Sequence, residues 1–288
     1  MYNLINHNKF VLKRYFLYNS DMEKDFYKDT VSYRIIGFIK NQILEKICIL
    51  FYIAKITVSV FKDILKGKVN LRHTFDQASR FGVDSLPLTT IIVGITGMII
   101  ALQVTSEMVK QGATDYIGTL IALVVIREIA PIMGSFAVIS MVGSSMAAEI
   151  ATMQVTEQVD AIKVCRVDPI TYLITPRVVA GFFVMPSVVI IATLFGIAVS
   201  FLPVNIISDI SLASYMDSVW LGLKEKDLWV EVLKSTVFGT VIALVCSSFG
   251  YRAKGGAIDV GISTTNAVVY SFIIVVILDF VISYMFFY

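Results

Sequence analysis

Apolar residues in this chain gather into long unbroken runs, separated by short polar stretches. The first convincing run, LPLTTIIVGITGMIIALQVTSEMV from Leu86 to Val109, meets the ~20 residues a helix needs to cross a bilayer's hydrocarbon core. Gly94 and Gly97 within it permit close approach of another backbone. Near its far end Gln103, Thr105, Ser106 and Glu107 turn the helix polar, which points to a wet cavity rather than lipid. A second apolar region, 116–148, is too long for one simple crossing and contains Arg127, Glu128 and Pro131. Ionisable residues at membrane depth are costly and face a cavity or a partner, and Pro131 is expected to kink or break the helix. Further spans are predicted at about 171–203, 228–251 and 266–287, the fourth carrying Glu231 and Lys234 and the fifth Asp279.

Residues 38–66 are different. Ile39, Ile43, Ile47, Leu50, Ala54, Val58, Phe61 and Leu65 follow at helical steps, while Lys40, Glu45, Lys46, Lys55, Lys62 and Asp63 interrupt any stretch long enough to span. Such a helix reads as lying in the headgroup plane, with packing against protein as the alternative. Between the second and third spans, 149–177 reads as a polar connection holding a short helix, with Val155, Val159 and Ile162 on one face and Glu157, Gln158 and Asp160 elsewhere. The predicted fold class is therefore all-α and polytopic: a polar arm 1–37, an interfacial amphipathic helix and connector 38–80, and a membrane domain 81–288 of five helices.

Composition agrees, with 57% hydrophobic and only 16% charged residues, where a soluble domain carries about 25% charged. The net charge of +2 says less than its distribution. Of 24 Lys and Arg, 14 lie in residues 1–85, three in 149–177 and two in 252–265. The positive-inside rule then predicts these segments on the cytosolic or stromal side and the C-terminus outside. The first thirty residues carry Asp21, Glu23, Asp25 and Asp29 and no apolar core, unlike a secretory or transit peptide.

Candidate chemistry is sparse. Cys48, Cys165, Cys246, His7 and His73 are scattered, which gives no metal or redox cluster. Gly67-Lys68 is followed by Val69 and lacks the upstream glycine of a phosphate-binding loop, and no nucleophile-elbow or zinc-protease motif occurs. No catalytic residue, metal or nucleic-acid partner is expected. Halves of the chain show no self-similarity of the kind secondary transporters carry.

The stretch REIAPIMGSFAVISMVGSSMAAEIATMQVTEQVDAI, followed by VDPITYLITPRVVAG, and the later LKSTVFGTVIALVCSSFGY and GISTTNAVVYSFIIVVILDF closely resemble the MlaE/YrbE family of ABC-transporter permeases, the membrane subunits of systems with MCE-domain lipid-binding proteins. The resemblance covers about residues 80–287. One departure is Met141, where many members have an arginine. FGVDSLP, QVTSE and TMQVTEQVDA resemble the cyanobacterial and plastid branch, which implies the plastid inner envelope, or alternatively a bacterial inner membrane. The resemblance implies a homodimeric permease that moves a phospholipid or related glycerolipid. It also implies an MCE-domain partner and a separate ATPase holding the ATP and Mg. The segment 149–177 becomes the coupling element, with Glu149, Thr156, Glu157, Gln158 and Asp160 as the ATPase-contacting set. Arg127, Glu128, Pro131, Lys234 and Asp279 become the intramembrane set, in which one of Arg127 and Glu128 faces the cavity while the other pairs with Lys234 or Asp279. A scaffold that moves no substrate is the alternative.

Overall fold

The structure is a computed structural model that describes residues 49, 51–67 and 69–287. The arm 1–37 and residues 38–48 and 50 of the expected interfacial helix lie outside them. The chain divides into Met1–Tyr52, of which only residues 49, 51 and 52 are described, and Ile53–Tyr288; the latter unit is described below. Residues 53–65 are helical, with Ile56 and Val60 buried and Phe61 and Leu65 exposed.

Among the described residues five helical stretches are long and apolar enough to cross a membrane: Leu71–Lys110, Thr114–Val155, Ile170–Ser208, Glu225–Arg252 and Ala257–Phe287. Among the described residues there is no strand. The expected number of spans holds, but their bounds are wider. The apolar helix of the first begins at Leu86 as expected and runs to Lys110, but the helix Leu71–Ser79 and a π turn lead into it, giving a 40-residue helical stretch of about 60 Å, twice the ~30 Å hydrocarbon core. The fifth begins at Ala257 rather than 266. Its first turns hold Ser263, Thr264, Thr265 and Asn266, which lower hydropathy. Helix tolerates them because the Thr264 and Thr265 hydroxyls find internal acceptors, donating back to the carbonyls of Val260 and Gly261.

Four π-helical turns interrupt the spans: Arg80–Asp84, Val125–Ile129, Ile139–Gly143 and Ile170–Ile174. The second of these absorbs Pro131. Instead of breaking the helix, Pro131 sits in the first turn of the α-helix that follows, Ala130–Val138.

The fourth span is the spine, 67% of its apolar window being enclosed by protein against 22% for the fifth. It packs on the third where two glycines face each other; a Cβ on Gly181 would lie 2.6 Å from the Gly239 carbonyl oxygen. One end of the bundle gathers residues 63–80, 149–174 and 250–256, through Asp63 with Thr171, His73 with Tyr172, Arg80 with Glu149, and Gly250 against Ala147. The other end carries 111–116, 209–226 and Phe286. There an unforeseen helix, Leu212–Gly222, lies on the start of the second span, where Thr119 Oγ1 donates to the Ser218 carbonyl at 2.5 Å. Tyr215 on this helix donates to the Ile197 carbonyl at 3.1 Å, and burial pushes its phenol above the usual tyrosine range.

Candidate functional site

The charges inside the apolar runs meet. Lys234, in the fourth span and 0% exposed, stands 3.3 Å from Glu128 Oε2 and 2.8 Å from Asp279 Oδ1. The Asp279 contact is within ion-pair range but lacks hydrogen-bond alignment, Oδ1 having no hydrogen-bond partner among the described residues. Lys234 Nζ also donates to the Arg127 carbonyl at 2.5 Å. That carbonyl lies four residues before Pro131, and in an α-helix it would accept the amide hydrogen that proline lacks. The proline thus frees the acceptor, and the lysine of the neighbouring span takes it.

Arg127 and Glu128 diverge, as adjacent helical residues must. The Arg127 guanidinium reaches Asp227 at the head of the fourth span, 2.9 Å from both Nε and Nη2, and lies 4.3 Å from the centre of the Phe287 ring. Asp227 also accepts the Lys224 amide hydrogen at 3.1 Å and so caps its own helix. Glu128 turns to Lys234 and accepts the Ser283 hydroxyl at 2.9 Å. Its side chain stays 42% exposed, a position that lipid tails solvate poorly.

Asp227 and Glu231 were not anticipated as partners in this region. Asp227 lies just outside the apolar run, where a charge is ordinary, although it is two helical turns from Lys234 on the same side. Glu231 is 1% exposed and meets the Thr193 hydroxyl. The anticipated polar end of the first span is mixed: Gln103 and Glu107 are exposed, Glu107 pairing with Lys110 at 2.8 Å, while Thr105 is buried. Met141 is partly exposed.

At the opposite end the chain turns out of the second span into the short helix Gln158–Val164. Val159 is buried, and Thr156, Glu157, Gln158 and Asp160 are exposed together around it. Lys163 bonds Asp160 at 2.6 Å, and that bond raises its ammonium above the usual lysine range. Glu149 stands apart from this set. It belongs to the helix Ser144–Val155 and is held by Arg177 at 3.0 Å and Arg80 at 3.2 Å. Val164, 83% exposed at the end of the short helix, is an apolar surface residue that the polar pattern did not suggest.

The short helix is bracketed by Glu157 at φ 60° and Arg166 at φ 59°, a left-handed conformation that favours glycine. Arg166 closes a Schellman turn, its amide bonding the Lys163 carbonyl and the Val167 amide the Ile162 carbonyl. At the corresponding turn after the first span the residue is Gly112. Arg166→Gly should therefore relieve strain of about 1 kcal/mol, partly offset by the entropy of the unfolded glycine. A thermal melt of the detergent-solubilised protein should show a small rise in midpoint; a fall would mean that the arginine side chain stabilises the fold.

Comparison with known proteins adds the following. A profile of the family described as Permease MlaE matches residues 74–285. The chain is similar to a probable ABC transporter permease of Synechocystis sp., 37% identical over 81% of this chain and 88% of that one. It is also similar to the chloroplastic protein TRIGALACTOSYLDIACYLGLYCEROL 1 of Arabidopsis thaliana, 40% identical over 78% of this chain and 64% of that one. The probable ABC transporter permease ycf63 of Pyropia yezoensis is 33% identical over 76% and 84% respectively.

Proposed function

The chain belongs to the MlaE permease family, and from that premise we propose that it is the membrane subunit of an ABC transporter that moves a phospholipid or related glycerolipid between membranes. ATP is hydrolysed on a separate subunit. The observation that carries this assignment is the exposed polar helix Gln158–Val164, which projects between the second and third spans at the end of the bundle rich in Arg72, Lys163, Arg166, Arg252 and Lys254. A basic end marks the side where ATP is available, and a rigid helical projection there suits docking of an ATPase. The chain's own sequence has no phosphate-binding loop.

Exposed Gln103 and half-exposed Glu128 at membrane depth support a second copy of the chain, since two copies would enclose these groups in a shared polar-walled cavity. An MCE-domain protein at the other end would pass lipid to or from that cavity. The chloroplastic and ycf63 relatives favour the plastid inner envelope; the Synechocystis relative keeps a bacterial inner membrane as the alternative.

Charge reversal at exposed Glu157 tests the docking. Glu157→Lys should reduce co-purification of the ATPase by about tenfold or more, as expected when a charged contact at an interface is reversed, while membrane insertion is unchanged. An intact complex with full ATP hydrolysis would remove Glu157 from the interface. Lipid exchange between vesicles that proceeds equally with and without ATP would favour the scaffold instead.

A further inference from the structure

Glu149 occupies a junction that the short helix alone does not explain. Its Oε2 oxygen receives Arg177 at 3.0 Å and Arg80 at 3.2 Å. These arginines belong to the third and first spans, and Glu149 itself lies on the helix that leads directly into Thr156 and the Gln158–Val164 segment. Arg177 is 3% exposed, so the pairing with its span is a buried one, while Arg80 holds the same carboxylate from the open side.

Each of these three segments has a π-helical turn at this level. Arg80 opens the turn Arg80–Asp84; Ile139–Gly143 immediately precedes the helix of Glu149; Ile170–Ile174 immediately precedes the turn containing Pro176 and Arg177. Such single wide turns are rare, recur at functional sites and are places where helices kink. In the second span the turn lies on the membrane side of Glu149, in the first it begins at Arg80 itself, and in the third it lies just outside Arg177; at this junction one carboxylate ties the three together. Two buried polar atoms nearby in sequence, Arg177 Nη1 and Gln154 Oε1, have no partner among the described residues. Donors and acceptors left idle in one arrangement are available to a second one.

We propose that Glu149 is a positioning residue, and that its carboxylate, clamped by Arg80 and Arg177, is the joint through which movement of the Gln158–Val164 segment is passed to the first and third spans. This rests on the reading of that segment as the docking site of an ATPase, and it gives Glu149 a role in transmission rather than in contact. The π turns flank the joint as flexing points, and the clamp makes Arg80, Glu149 and Arg177 move together. Without it, displacement of the short helix is taken up locally.

The test is the ratio of lipid moved to ATP hydrolysed, measured with the full transporter complex in vesicles containing a fluorescent phospholipid. Glu149→Gln preserves shape and removes the charge. It should leave the ATPase bound and hydrolysing while lipid transfer per ATP falls by about tenfold, a typical coupling energy between sites. Glu149→Asp should recover part of the ratio. Should Glu149→Gln fail to assemble, Arg80→Gln decides, because it leaves the buried pair with Arg177 intact; the same loss of ratio supports the clamp. An unchanged ratio in an assembled variant, or transfer and hydrolysis falling in parallel, overturns it. Failure of the unmutated complex to retain an ATPase would instead overturn the functional reading on which the clamp depends.

Discussion

Lys234→Met should unfold the protein at a markedly lower temperature, a loss on the order of 3–5 kcal/mol, because breaking a buried ion pair leaves its partner charges uncompensated. Here three partners lose one ammonium: the Glu128 and Asp279 carboxylates and the Arg127 carbonyl. The carbonyl loses the donor that replaced the amide missing at Pro131. Replacing the whole set, Glu128→Gln with Lys234→Met and Asp279→Asn, should recover much of the stability, since removing all charges also removes their desolvation. Thermal melts of the purified single and triple variants measure this directly. Lipid transfer separates two roles. If the charges serve only the fold, the triple variant transports as well as it melts; if Glu128 works in the cavity, transport stays low after stability returns. Equal stability of Lys234→Met and the unmutated protein would show that the cluster contributes nothing to the fold.

Gly239→Leu should be as damaging by a different route. A Cβ at this position would fall inside the contact distance of the Gly181 carbonyl oxygen and of Met185, so the obstacle is a neighbouring backbone that cannot rotate aside. Overpacking a core usually costs about 1–3 kcal/mol, and a rigid backbone contact puts this site at or above the upper end. The third and fourth spans would have to separate, and the variant should elute as aggregate on size exclusion in detergent. Gly256→Ala is the comparison, because a Cβ there meets nothing within 4 Å; it should elute as the unmutated protein does. A monodisperse Gly239→Leu would mean that the two spans can pack in another register.

Much of this architecture is legible in the apolar runs. Leu86–Val109 is recognisable at sight, and the ionic residues that interrupt later runs do converge, because charge in lipid must find a partner. What was not legible has physical causes. Pro131 suggested a break, whereas a π turn absorbed it, and no side-chain pattern announces a π turn. Ser263 to Asn266 hid the start of the fifth span because hydropathy counts a hydroxyl as polar even when it bonds its own helix. Glu149 read as part of the polar connection by its chemistry, but the second span continues as helix to Val155 and carries it into the grip of two arginines. Asp227 was missed because it lies outside any apolar run and matters through a contact 100 residues back in the chain.

The enclosure of the fourth span also bears on how the chain enters the membrane as it is made. This span has the lowest mean hydropathy of the five, 1.7 against 2.5 for the third, and it carries Glu231 and Lys234. A lysine near the centre of a helix opposes insertion by about 2.5–3.5 kcal/mol, so this segment partitions poorly alone. Its relief comes from opposite directions in time: Glu128 and the Arg127 carbonyl are synthesised earlier, and Asp279 emerges last. The partners on the second span are thus already made when the fourth is synthesised, and the fifth completes the neutralisation. The most protected helix of the finished protein is the one least able to enter the bilayer unaided.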